Sequence, residues 1–219
     1  MSKIIRFIKI DMLSIKPYLT LKNALIFIGL GVFYSMVTSN LMIIFGVALL
    51  FVSLLSTYPF LVGDKTGIDS LYRVFGFKEK EIVIGRYVSN LVLAIIIQLA
   101  TILLAFVLAQ FIQTENIWSM VVMVIPIYLI ISQLIVCIQY PFYFKYGYTK
   151  AKLMMSLTFV LFGAVGFLAS YFKEQTFQLI TWGMNHKMLM ILLLIAMLLA
   201  IYLVSITTAI KWYKEKDLV

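Results

Sequence analysis

No Asp, Glu, Lys, Arg or His falls in the middle of any long apolar run of this sequence. A charge at a bilayer centre costs about 2.5–3.5 kcal/mol on insertion scales, a cost accepted where function needs it. Proton-coupled carriers, ion pumps and intramembrane proteases need such groups, so their absence argues against those classes. Cys137 is the single cysteine and lies inside an apolar run. It excludes a disulfide within the chain and reads as a buried, inert thiol. No Cys/His pair has metal-ligand spacing, no G-x-x-x-x-G-K-[ST] run is present to cradle a nucleotide, and there is no G-x-S-x-G elbow. Ser170-x-x-Lys173 and Lys65-Thr66-Gly67 mimic two penicillin-binding motifs, but the topology derived below puts them on opposite sides of a membrane. His186, the only histidine, sits between Asn185 and Lys187 and reads as a solvated loop residue. No catalytic, cofactor-binding or metal-binding residue is therefore expected on this chain, and no enzyme activity.

What the sequence has in abundance is apolar surface. Of 219 residues 63% are hydrophobic, and the mean hydropathy is +1.06. A soluble domain of this size could not hide that much in one core. Runs of 18 or more apolar residues read as membrane spans. Six are expected, at about 21–37, 41–61, 87–111, 117–140, 153–172 and 188–210. Thr38-Ser39-Asn40 and Gln113-Thr114-Glu115-Asn116 read as tight turns. Pro126 inside the fourth span predicts a kink. Polar or aromatic loops are expected at 62–85, 141–152 and 173–187, and Lys211-Trp212-Tyr213-Lys214 as an interfacial anchor.

Before the first span, residues 2–16 place Ile4, Ile5, Phe7, Ile8 and Met12 on one helical face and Lys3, Arg6 and Lys9 on another. That pattern predicts an amphipathic helix lying in the membrane interface. Lys16-Pro17 then breaks it. Lys and Arg placement orients the whole. With the N-terminus inside, sixteen of the eighteen basic residues fall on inside segments, and only Lys173 and Lys187 outside. Both termini are then cytoplasmic, and the net charge of +9 needs no nucleic-acid partner. The fold class is an all-α polytopic membrane protein, one transmembrane domain over 1–219.

The longest inside loop, 62–85, looks functional. Ile68, Leu71, Tyr72 and Phe75 recur at helical spacing, bracketed by Gly67 and Gly76, and Asp69 stands where it would cap or charge a helix start. Such a helix either lies on the membrane or docks in a groove of a partner; Asp64 and Asp69 favour a protein partner. Tyr58-Pro59-Phe60 followed by Gly63-Asp64-Lys65 is echoed by Tyr140-Pro141-Phe142 followed by Lys145-Tyr146-Gly147. Duplication and the commonness of Pro and aromatics at helix exits account for the echo equally well.

Tyr58-Pro59-Phe60, Asp64-Lys65, Leu71-Tyr72 and Lys80-x-Ile82-Val83-x-Gly85-Arg86-Tyr87 together resemble the signature of small type-2 ABC transporter permeases. Relatives typically carry an Asp-Glu-Lys triplet, a Leu-Pro motif and an arginine before the Ile-Val; here Gly63-Asp64-Lys65, Gly76-Phe77 and Lys78-Glu79-Lys80 stand instead. The resemblance extends over the full chain and is nearest to bacterial exporters of amphipathic peptides such as phenol-soluble modulins. It implies a permease in the bacterial plasma membrane, paired with a second permease copy or a paralogue. Two copies of a separate ATP-binding subunit, carrying ATP and Mg, would power it. It implies a coupling helix with Asp64, Lys65, Ile68, Asp69, Leu71, Tyr72, Arg73 and Phe75 at the docking surface. Phe144, Lys145 and Tyr146 would form a second contact. Gly31 and Ser35 on the first span and Gly163 and Gly166 on the fifth are small-residue stripes suited to close helix packing, and the resemblance places the permease seam there. Uncharged walls suit hydrophobic or amphipathic cargo such as peptides. The alternative is a membrane scaffold or immunity protein that sequesters membrane-active peptides without transport and without a docking helix.

Overall fold

A computed structural model describes residues 3–18, 20–112 and 117–215 of the chain. Among them there is no strand. The order is α1 (Lys3–Ile15), a 3-10 turn (Lys16–Tyr18), α2 (Leu21–Thr38), α3 (Met42–Leu55), α4 (Tyr58–Thr66), α5 (Ile68–Val74), α6 (Glu79–Ile112), α7 (Ile117–Ala151), α8 (Leu153–Tyr171), α9 (Lys173–Asn185) and α10 (Lys187–Glu215). Five stretches are long and apolar enough to cross a membrane: Leu21–Thr38, Met42–Thr66, Glu79–Ile112, Met120–Ala151 and Leu192–Glu215. Alpha-helix is the form an apolar segment takes in lipid, because it satisfies every backbone polar group internally. α8 coincides with the stretch expected as the fifth span.

Local chemistry sets several boundaries. The Thr20 hydroxyl accepts from the Asn23 N–H at 3.3 Å and starts α2. Ser39, at φ 51°, ends it by donating its N–H to the Met36 carbonyl. Asn40 Oδ1 then accepts from the Met42 N–H at 2.9 Å to start α3, so the turn expected at 38–40 is present. Ser56 and Thr57 separate α3 from α4, each hydroxyl donating 2.7 Å to a carbonyl of α3. Pro59 sits in the first turn of α4, where its missing N–H costs nothing.

Four expectations are corrected. The segment 62–85 holds the expected short helix as α5, but more helix besides: α4 runs to Thr66, and α6 begins at Glu79. The stretch 141–152 is helical to Ala151. The backbone stays helical through Pro126, and the break in α7 falls at Gly147, whose φ 74° and ψ 173° are a region open essentially to glycine alone. The stretch 173–187 is mostly helix α9. Helix that continues past an apolar run, as at 62–66, 79–86 and 141–151, carries polar and aromatic residues and so reads as loop. The turn expected at 113–116 lies outside the described residues.

The chain divides into two compact units, the division falling within α7 between Val136 and Cys137. In the first, Leu41 at the N-cap of α3 and Ile44 and Phe45 within it pack with Ala105 and Leu108 of α6 and Val121 and Val124 of α7. In the second, Ser205 Oγ of α10 donates to the Cys137 carbonyl at 2.6 Å. Gln139 donates to Thr158 Oγ1 at 3.4 Å, and Phe144 stacks edge-on against Tyr213 at 5.2 Å.

α6 has 34 residues, about 51 Å at 1.5 Å per residue, against a hydrocarbon core of about 30 Å. A bilayer would take up its apolar part and leave the charged Glu79–Arg86 end to extend beyond it. The site is built on that extension.

Candidate functional site

Arg86, in the third turn of α6, is 1% exposed. Two carboxylates from two other helices close on it. Its Nη2 lies 2.7 Å from Asp69 Oδ1 of α5, and its Nε lies 3.5 Å from Asp11 Oδ1 of α1. Phe60 of α4 covers the guanidinium face at 4.6 Å. Tyr72 of α5 donates its hydroxyl to Asp11 Oδ1 at 3.0 Å. One side chain thus ties four helices together. The Asp69 carboxyl also rests on Gly63, where an added Cβ would lie 3.1 Å from Oδ2.

Around this polar centre lies an aromatic shell. The fully buried Phe7 ring meets Tyr72 edge-on at 4.9 Å and Phe77 at 5.7 Å. It packs directly on Gly85, leaving no room for a Cβ there. Lys3 Nζ reaches the Gly76 carbonyl at 3.4 Å. The apolar face of α1, expected to lie in the membrane interface, is therefore spent in part on α6, although Ile5 and Leu13 remain half exposed. Burial pushes the Asp11 carboxyl above the usual carboxylate range, against the lowering by Arg86 and by the Tyr72 hydrogen bond; Asp69 adds to the rise.

The residues expected on the docking helix separate into two groups. Asp69 and Tyr72 point inward and build the knot. Asp69 does not cap α5: its N-cap position is Gly67, with no side-chain hydrogen bond. Leu71 and Phe75 point outward, 47% and 67% exposed, and Val74, which sequence reasoning missed, is 80% exposed. Residues 71, 74 and 75 stand three and four apart and so share one face. Asp64 and Lys65 are exposed at the end of α4, while Ile68 and Arg73 are half-buried.

Of the second expected contact, Phe144 is buried against Tyr213 and presents no surface, which corrects its assignment. Lys145 and Tyr146 remain accessible. The two small-residue stripes also differ. Gly31 and Ser35 are buried within the chain; a Cβ on Gly31 would lie 3.1 Å from Ile44 Cγ1 of α3, so that stripe serves the α2–α3 contact. Gly163 and Gly166 face open space.

Asp11 and Arg86 were not singled out as site residues. A signal for Asp11 existed: it follows Ile4, Phe7 and Ile8 by seven, four and three residues, so it lies on the apolar face of α1, where an acid needs a partner.

The described residues hold no cluster of His, Cys, Asp and Glu suited to a metal. The arrangement is a short helix with an apolar outer face, clamped on its inner face to the end of a helix long and apolar enough to cross a membrane. No curated protein and no solved structure matches the chain. A family model described as ABC-2 family transporter protein matches residues 6–214, and with a membrane setting, an expected ATP-binding partner and no catalytic role of its own, the chain belongs to that permease family.

Proposed function

We propose that this chain is the permease subunit of an ATP-driven exporter of hydrophobic or amphipathic cargo, peptides in particular, powered by an ATP-binding subunit docked on α5. The observation that carries the reading is the two-sidedness of α5. Asp69 and Tyr72 fix it to α6 and α1, while Leu71, Val74 and Phe75 offer an apolar face to a groove. A helix clamped in this way moves with α6. Closure of an ATP-binding dimer against it is thereby delivered to a helix long enough to cross the bilayer. Asp64, Lys65 and Arg73 flank the face, and Tyr146 supplies the second contact. Charge placement favours the cytoplasmic side for this surface, and the resemblance to bacterial permeases favours the bacterial plasma membrane as its location. A second permease copy pairs through α8, where Gly163 and Gly166 are open. ATP and Mg belong to the partner; two ATP-binding copies serve two permeases.

The test is co-purification with a co-expressed ATP-binding subunit, followed by stimulated ATP hydrolysis and peptide efflux. The reading fails if no ATP-binding subunit associates, or if resistance to membrane-active peptides persists in cells lacking every such subunit. The latter result would indicate the sequestering scaffold.

A further inference from the structure

We propose that the groove between α7 and α10 in the second unit is a binding site for one acyl chain of an anionic phospholipid, its phosphate held at Lys145. The groove has a volume of about 450 Å³ and is walled by Cys137, Pro141 and Phe142 of α7 and Ile201, Val204 and Trp212 of α10. It is held open from within. Ser205 Oγ pins α10 to the Cys137 carbonyl at 2.6 Å, and the buried Phe144–Tyr213 pair braces the same two helices near Trp212.

Its wall along α10 suits such an occupant. From Ala200 to Trp212 α10 rises about 18 Å at 1.5 Å per residue, close to one leaflet's half of an about 30 Å hydrocarbon core. Both walls belong to helices long and apolar enough to cross a membrane, so hydrocarbon is the medium at the mouth. The charged end is equally specific. Lys145 Nζ stands 4.5 Å over the Trp212 ring and 5.2 Å over Tyr146, and Phe142 packs on the same indole at 5.7 Å. Aromatic rings with a lysine mark the headgroup level. Lys211 is exposed beside Trp212. Neither lysine has a carboxylate within ion-pair distance among the described residues, so the groove ends in positive charge that a lipid phosphate complements.

The full chain in nanodiscs of equal phosphatidylglycerol and phosphatidylcholine, released into mild detergent, is read by native mass spectrometry. One retained phosphatidylglycerol per chain is expected. Lys145→Gln should lower that retention roughly fivefold, as loss of one cation–headgroup attraction implies. Ala200→Trp, at an exposed lining position, fills the groove and should abolish retention with both lysines intact. Phosphatidylglycerol should also raise the melting temperature of the wild type above its value in phosphatidylcholine alone, and neither variant should show that rise. Equal retention of the two lipids, or retention unchanged by both variants, overturns the proposal. So does loss of retention on dimerisation of the wild type, which would make a second copy the occupant.

Discussion

Arg86 and Asp69 form a 2.7 Å ion pair whose two side chains are 0% and 9% exposed. At that burial the desolvation of each charge must be offset by the few groups around it, and removing Arg86 leaves the carboxylates it serves stranded. Arg86→Leu, which strands both Asp11 and Asp69, should destabilise the assembly of α1, α5 and α6 by roughly 3–5 kcal/mol. Arg86→Lys keeps the charge but loses the planar fork that reaches two carboxylates in different directions, and should recover only part of the loss. Hydrogen exchange of the α1 and α5 amides reads this directly. Protection that survives in Arg86→Leu would show that the aromatic shell alone holds the helices.

Asp11 gives the assembly a pH dependence of defined sign. Its folded pKa is raised from the ordinary 3.8, chiefly by burial. Between 3.8 and the raised value the folded state binds more protons than the unfolded state, so stability falls as pH rises through that window. Docking of α1 should therefore tighten on acidification from neutral pH, with no further gain below about 3.8, where both states are protonated. Asp11→Asn, which keeps an acceptor for the Tyr72 hydroxyl, should flatten the dependence. The melting temperature as a function of pH, for wild type and variant, checks both expectations; a slope that survives in Asp11→Asn belongs to another group.

Gly85 is fixed by close approach rather than by backbone angle. A Cβ there would lie only 2.8 Å from Phe7 Cε1, and the Phe7 ring cannot yield, since Tyr72 and Phe77 hold its other sides. Gly85→Ala should cost about 1–3 kcal/mol by overpacking. Phe7→Leu removes the obstructing ring, so the double variant should be less destabilised than the sum of the two singles, a coupling that a thermal double-mutant cycle measures. Strict additivity would mean that α1 does not seat on α6 at this point.

The membrane-crossing stretches were legible because burial in lipid demands long uncharged runs, which survive any detail of packing. The short helix at 68–74 was legible from its spacing between two glycines. Its orientation was not, because Ile68, Leu71, Tyr72 and Phe75 look equally apolar until a partner selects a face. Tyr72 turns inward since its hydroxyl finds Asp11, a residue 61 positions away. Asp69 was legible as an acid in a first turn but not as the partner of Arg86, 17 positions on. The break in α7 was sought at Pro126, yet a neighbour-supported helix tolerates proline, while the dihedrals at Gly147 leave no such latitude.

The inward turn of Tyr72 changes how docking must be tested. Tyr72→Asp or Asp69→Ala attacks the buried contact with Arg86 and Asp11, so loss of transport there would report a disrupted fold. Val74 and Phe75, 80% and 67% exposed, carry no such burden, and exposed substitutions away from special features stay within about 0.5 kcal/mol of wild type. Val74→Asp with Phe75→Asp should therefore leave the melting temperature of the isolated chain nearly unchanged. Together they should weaken association with the ATP-binding subunit at least about tenfold, the result of pushing two charges into an apolar groove at about 1.4 kcal/mol or more in total. Affinity measured on the detergent-solubilised pair, beside the melting temperature of the permease alone, separates the two effects. Unchanged affinity with unchanged melting temperature would remove the outer face of α5 from the docking surface and leave Asp64, Lys65 and Tyr146 to account for it.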